Sequence, residues 1–261
     1  QRLEIGEIPF VSINPKPSRP EALEYYRRAA TSNQLNIQLQ EKVISVEKTG
    51  NVFKVTTAKA SYYSDKLILA TGFYDIPVLM NVPGENLPKV THYYKDPHYY
   101  AMQKVLVVGA NNSAVDAALE TYRKGAEVTM VIRGNEIGER VKYWVKPDIE
   151  NRISEGSIKA FFNAQVKSIE EGFVTIDTSE GDVKIENDYV IAMTGYQPDF
   201  NFLEQAGVKL NYNNCMQPEY DEETQESNVA GLYLAGVVCG GLRTHVWFIE
   251  NSREHAKKII S

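Results

Sequence analysis

Two segments of the chain close in the same way. ILATGFYDIP (68–77) and VIAMTGYQPD (190–199) each pass from apolar residues into Thr-Gly and on to a proline. Setting Val43 on Val166 brings VISVE against VKSIE, and at the same offset of 123 Asp65 meets Asp188, Thr71 meets Thr194 and Gly72 meets Gly195 without a gap. Matched intervals of 28 residues from valine to Thr-Gly are hard to reach by accident. A repeat longer than about a hundred residues is no solenoid, whose units run to roughly 20–50, and it implies two homologous α/β domains.

Each copy carries a series of short β-type segments. In the first these are KVISVE (42–47), VFKVTT (52–57), ASYYS (60–64) and KLILA (66–70), with a further strand expected over LNIQL (35–39) and a helix over 22–34. In the second they are IKAFF, QVKSIE, FVTID, DVKIE and DYVIAM. Ahead of the second series the character changes. KVLVVG (104–109) is a continuous apolar run, SAVDAALETYRKG (113–125) has helical period and AEVTMVIRG (126–134) is apolar again, which makes a strand, helix, strand unit. A further helix is expected within 144–156. The counterpart of VLVVGANNSAVD, displaced by 123, would fall before residue 1, so the first copy is expected to lack its opening strand, phosphate-binding turn and helix. The first residue is Gln rather than Met, in keeping with that expectation, and NPKPSRP reads as a proline-rich connector.

The chemistry concentrates in VLVVGANNSAVDAALE. A buried strand entering a turn and then a helix puts free backbone N–H groups and the positive helix end where a pyrophosphate can sit. The usual GxGxxG positions read Gly109, Asn111 and Ala114: a glycine for the tight turn, an asparagine expected to tolerate left-handed backbone, and a small residue for close helix–strand packing. The next strand ends VIRG. An acid there would accept from a ribose 2′-OH, whereas Arg133, followed by Arg140 and Lys142, suits a 2′-phosphate, so the expected dinucleotide is NADPH. A solvated basic loop is the alternative, and for Arg140 and Lys142 taken singly it is the better one. Each Thr-Gly end is expected to pass beside a cofactor, glycine allowing close approach.

The last third holds GLYLAG (231–236), read as a buried strand entering a glycine turn, and THVWFIENSREHAKKII (244–260), read as a helix whose N-terminus faces negative charge on a reduced flavin. His245 near that N-terminus is a candidate proton relay, against a structural role. Cys239 in the glycine-rich turn is a candidate thiol nucleophile, against a small buried residue. Cys215 is the only other cysteine, so no disulfide framework, CxxC pair or zinc-type spacing exists and no metal site is expected. A net charge of -6 argues against a nucleic-acid partner. No run approaches the roughly 18 apolar residues of a membrane span and no signal peptide opens the chain, so the expected setting is the cytoplasm, with no membrane partner and a homo-oligomer left open.

Taken in order, GANNSAVD, VIRG, the two Thr-Gly ends and GLYLAG resemble the two-dinucleotide-binding-domain flavoprotein reductases of the thioredoxin-reductase-like class. ATGFYDIP, VPGENLPKVTHYYKDPHYY and LYLAGVVCGG are similar to its bacillithiol disulfide reductase group. The resemblance implies two Rossmann-like, three-layer ββα domains: an FAD domain over 1–98 and 199–261, lacking its N-terminal βα unit, and an NADPH domain inserted at 99–198. It implies FAD and NADPH as cofactors and a low-molecular-weight thiol disulfide, bacillithiol disulfide, as substrate. Gly109, Asn111, Asn112, Ser113, Ala114, Arg133, Thr194 and Gly195 would bind NADPH; Val43, Thr71, Gly72, Gly236, Val237, Thr244 and His245 would lie along FAD. The chain departs from the wider class in lacking CxxC and in placing Val237 where an aspartate is common. The cysteine the group carries in its first glycine-rich turn has no counterpart here, and would belong to the missing segment. Competing readings are a ferredoxin or flavodoxin NADP reductase, a flavin monooxygenase, and a flavin-free NADPH-binding fragment.

Overall fold

The computed structural model describes residues 3–14 and 17–261, so part of the NPKPSRP connector and the first two residues lie outside the described residues. The chain divides into two compact units, Gln1–Asp75 with Gln197–Ser261, and Ile76–Tyr196. They are called the outer and inner unit for their order in the sequence.

In the first part of the outer unit a short antiparallel ribbon of Glu4–Ile5 and Ile8–Pro9 precedes helix α1 (Arg19–Ser32), which is started by a capping box in which Ser18 and Glu21 satisfy each other's backbone N–H groups. Strands β1 (Val43–Thr49), β2 (Val52–Thr57) and β3 (Ser61–Ser64) follow as an antiparallel meander, and then β4 (Leu67–Leu69). LNIQL forms no strand. Residues 35–39 run as exposed coil, and among the described residues no strand pairs with them, so their alternation of Leu35, Ile37 and Leu39 has no ladder to enter.

The inner unit is built on a five-stranded, all-parallel sheet. Its strands are β5 (Val90–Thr91), β6 (Lys104–Val108), β7 (Glu127–Val131), β8 (Lys159–Phe161) and, after a second meander of β9 (Gln165–Ile169), β10 (Phe173–Thr178) and β11 (Gly181–Glu186), β12 (Tyr189–Ala192). The spatial order is β8-β7-β6-β12-β5. Helix α2 (Asn112–Arg123) follows β6, and α3 (Lys146–Ser154) follows β7. Alternation along β6 assigns the layers. Val105 and Val107 pack with Ala114, Val115, Ala118 and Ile149 of the helices, while Leu106 and Val108 pack with Val166, Ile169, Val174 and Ile176 of the meander. Burial on both faces is why these strands read as unbroken apolar runs. Residues 76–98, expected with the outer domain, group with the inner unit, because β5 extends the sheet beside β12.

The remainder of the outer unit holds α4 (Phe200–Gln205), β13 (Leu232–Leu234), parallel to β4, a 3-10 turn at Gly236–Gly240, and the short helices α5 (Ile249–Ser252) and α6 (Glu254–Ile260). Its core joins Val46, Phe53 and Leu69 to Leu203, Leu232, Leu234 and Val238. The helix expected from Thr244 starts only at Ile249: Phe248 is extended at φ -126°, ψ 174°, and its N–H donates to the Asn251 side chain.

The repeat is visible in the backbone. β1 shifts register between Val43 and Ser45, and β9 shifts between Val166 and Ser168, the same place in each copy. Val46 and its counterpart Ile169 are both buried. Hairpin lengths differ in a compensated way. Val46 faces Val55 and Ile169 faces Val174, so the first hairpin is four residues shorter in the inner unit. Val55 faces Tyr62 and Val174 faces Ile185, so the second is four longer.

Candidate functional site

In the inner unit, β6 runs into Gly109, whose φ of 129° excludes ordinary side chains; a Cβ there would stand 2.6 Å from the Met193 carbonyl oxygen and 3.1 Å from the Ala114 Cβ. Ala114 is buried beneath this crossing, as its small size requires. Asn111 is the N-cap of α2 and is extended at φ -95°, not left-handed as the sequence suggested, because a helix N-cap takes β-type backbone. Its side chain makes no capping bond, so the first-turn N–H groups, with Ser113 exposed among them, have no side-chain acceptor from the cap.

Asn112 plays another part. Its Nδ2 donates to the Arg140 carbonyl at 2.9 Å and its Oδ1 accepts from the Lys142 N–H at 2.9 Å, which ties the loop after β7 to the turn and leaves only the Asn112 backbone for a ligand. Lys142 Nζ stands 2.7 Å from Asp116, and the Gly138 N–H donates to the Ala110 carbonyl. A Cβ on Gly138 would meet the Asn111 Oδ1 at 2.3 Å. Sequence reasoning missed this brace, since a single glycine and a lysine in a polar loop carry no local signal of it.

Arg133 is exposed just past the end of β7 and borders two cavities. One, of about 420 Å³, is walled by Val78, Met80, Val108, Val131 and Thr194, and the other, of about 380 Å³, by Asn163, Gln165 and Thr178. A cationic fork beside an apolar hollow at the carboxyl ends of parallel strands suits a phosphorylated ribose and its base. Thr194 and Gly195 close the site from β12: the Thr194 Oγ1 donates to the Val78 carbonyl, the Val78 N–H donates to the Gly195 carbonyl at 2.9 Å, and Gly195 has φ 103° with open space where a Cβ would be. The inner residues therefore fit a dinucleotide.

In the outer unit β4 and β13 end side by side, Leu69 facing Leu234, and the Ala235 N–H donates to the Leu69 carbonyl at 3.0 Å. Thr71 and Gly72 follow one strand, Gly236 and Val237 the other. Gly72 has φ 75° and Gly236 φ 82°, and a Cβ on either would meet nothing, so two strand ends present open, side-chain-free backbone. Val43 is exposed at the start of β1. These residues fit an extended cofactor at the carboxyl edge of the strands.

Three candidates change character. Thr244 and His245 lie in a turn ahead of α5, so neither stands at a helix N-terminus. Cys239 is fully buried, and burial pushes its thiol up to about 12, which removes it as a nucleophile. Behind it lies a residue the sequence did not single out. His255 of α6 is buried, its Nδ1 accepts the Gly236 N–H at 3.1 Å and lies 3.8 Å from the Cys239 sulfur. A cleft of about 850 Å³ bordered by Glu204 and Leu210 holds none of the candidates. Among the described residues no group of three or more His, Cys, Asp or Glu is placed to hold a metal, and no helix is long and apolar enough to cross a membrane.

Comparison with known proteins agrees with this geometry. The bacilliredoxin reductase Bdr of Bacillus subtilis is 43% identical over 261 residues, covering 99% of this chain and 80% of its own. The solved bacillithiol disulfide reductase Bdr of Bacillus cereus superposes with a TM-score of 0.95 at 40% identity, over 98% of this chain and 80% of that one. Thioredoxin reductase of Lactococcus lactis, at 18% identity and TM-score 0.72 over 92% and 81%, shares the fold of two Rossmann-type domains. The model of pyridine nucleotide-disulphide oxidoreductases matches residues 1–236. With a dinucleotide turn, a second edge of open strand ends and these relatives, the chain belongs to the pyridine nucleotide-disulphide oxidoreductase family, oxidoreductases that use FAD and NADPH.

Proposed function

We propose that this protein reduces bacillithiol disulfide, or a closely related small thiol disulfide, with NADPH and FAD. The observation that carries the reading is Arg133, at the strand end where an acid would select NADH, next to a turn in which Gly109 lets the strand cross close over Met193 and the first-turn N–H groups of α2 have no acceptor from the cap. The names of two relatives, bacilliredoxin reductase and bacillithiol disulfide reductase, supply the substrate class. The inner unit would hold NADPH and the outer unit FAD.

When bound, the two cofactors supply the hydride chemistry by which a disulfide is opened. The chain's own part is placement. First-turn N–H groups of α2 and the helix dipole neutralise the pyrophosphate, and the Arg133 guanidinium pairs with the 2′-phosphate. Gly72 and Gly236 admit the flavin nucleotide close to backbone, and Cys239, protonated and buried, takes no part as a nucleophile.

The test is NADPH oxidation by the FAD-loaded protein with bacillithiol disulfide alone and with oxidised bacilliredoxin. Turnover that depends on either supports the reading. NADPH oxidation that ignores both and follows added ferredoxin instead would make this a ferredoxin reductase.

A further inference from the structure

His255 has no part in the sequence reading, yet its surroundings are unusual for a core residue. It is 1% exposed. Its Nδ1 takes the Gly236 N–H, so the ring proton sits on Nε2, and that atom is buried without a hydrogen-bond partner. A leucine would fill the same space without burying an unpaired polar atom. What the imidazole adds is an acceptor, aimed at the first residue of the Gly236–Gly240 turn.

We propose that His255 is a positioning residue for FAD: as the neutral Nε2–H tautomer it holds the Gly236 amide and so sets the backbone of Gly236 and Val237 along which the cofactor lies. This rests on the reading of that turn as part of a flavin site. An anchor matters at Gly236, because at φ 82° with nothing within 4 Å of its Cβ position no side-chain packing fixes its backbone. The anchor is itself well fixed. The Trp247 ring meets the imidazole at 4.4 Å and 78°, and Cys239 stands between Nδ1 and the Gln225 Oε1, 3.8 and 3.7 Å from them.

The arrangement makes the turn sensitive to acid. The groups around the ring are the Cys239 thiol, itself protonated, the Gln225 amide, the Trp247 indole and, on its own helix, the Lys258 ammonium. Desolvation by burial, and then the Lys258 charge, hold the imidazole below its ordinary value. It is neutral at neutral pH. As pH falls through its lowered value Nδ1 gains a proton, and two donors, Nδ1–H and the Gly236 N–H, then face each other.

Two measurements test this on the whole chain. Imidazole 15N NMR reports the tautomer and the titration of His255, and FAD affinity is measured from about pH 5 to 8 for the wild type, His255→Asn and His255→Leu. Asparagine keeps an acceptor near the Nδ1 position and does not titrate. The expected result is an Nε2–H tautomer, a wild-type FAD affinity that falls about tenfold as the ring protonates, a flat profile for His255→Asn near the wild-type maximum, and a flat profile about tenfold weaker for His255→Leu. A proton on Nδ1 in the neutral form, or wild-type and His255→Asn profiles that coincide in a flavin-bound protein, overturns the role of His255 alone. No FAD binding at any pH overturns the flavin site and this role with it.

Discussion

Gly109 and Met193 cross so closely that a β-carbon on the glycine would lie 2.6 Å from the Met193 carbonyl oxygen. Backbone, not a flexible side chain, occupies that space, so nothing can rotate away. Gly109→Ala combines this clash with strain at positive φ and should cost on the order of 2–4 kcal/mol. Chemical denaturation of the purified variant measures it, and NADPH binding should be lost with it. A wild-type midpoint for Gly109→Ala would show that the turn is softer than its contacts imply.

Arg133→Ala should separate the two nicotinamide cofactors. The guanidinium is exposed and, in the proposed complex, meets only the 2′-phosphate. Losing charge-assisted bonds of about 1.5–3 kcal/mol weakens NADPH roughly ten- to a hundredfold and leaves NADH within about twofold. Titration of the variant with both nucleotides decides it. Equal losses for both would remove Arg133 as the discriminator.

Thiol reactivity should be one per native chain. Cys215 is exposed and Cys239 is buried with its thiol pushed up to about 12. Of the 2 cysteines in the sequence, a thiol reagent at neutral pH should modify Cys215 at once and Cys239 only on unfolding. Rapid modification of Cys239 in the native protein would restore it as a candidate nucleophile.

The start of α1 should loosen in acid. The Ser18 N–H, 2.7 Å from Glu21, then the Ser12 hydroxyl, also at 2.7 Å, hold the Glu21 carboxyl down at about 2. A carboxyl whose folded value lies below its unfolded one, about 4.3, contributes stability that is complete above the unfolded value and is lost as pH falls toward the folded one. The protection of the Ser18 amide, measured against its intrinsic exchange rate, should therefore fall between about pH 4.3 and 2, and Glu21→Ala should already have lost it at pH 7. An acid-insensitive Ser18 amide would mean that the cap contributes nothing to the helix.

What the sequence made legible is what local chemistry determines. The meanders follow from alternation, the β6–α2–β7 unit from the switch of period, and Gly109, Gly72 and Gly195 from turns that need positive φ. What local chemistry does not determine depends on partners distant along the chain. LNIQL alternates like a strand but has no ladder, β5 joins the inner sheet through a pairing with β12 about a hundred residues on, and the helical period through Thr244–Phe248 yields to the Asn251 cap. His255 was invisible for the same reason, since its acceptor finds the Gly236 amide only once α6 packs behind the turn.

The compensated hairpins show how two copies of one unit can drift in length and keep their cores. Side chains on a strand alternate between two faces, so a change of an odd number of residues turns every later inward residue outward, while an even change does not. The central strand of the inner meander is displaced by four, which preserves parity, and Val174 and Val55 still face Ile169 and Val46. The one odd residue in each meander is the register shift at Val43–Ser45 and Val166–Ser168. Both copies keep it in the same place, and it is what brings Val46 and Ile169 round to the inside.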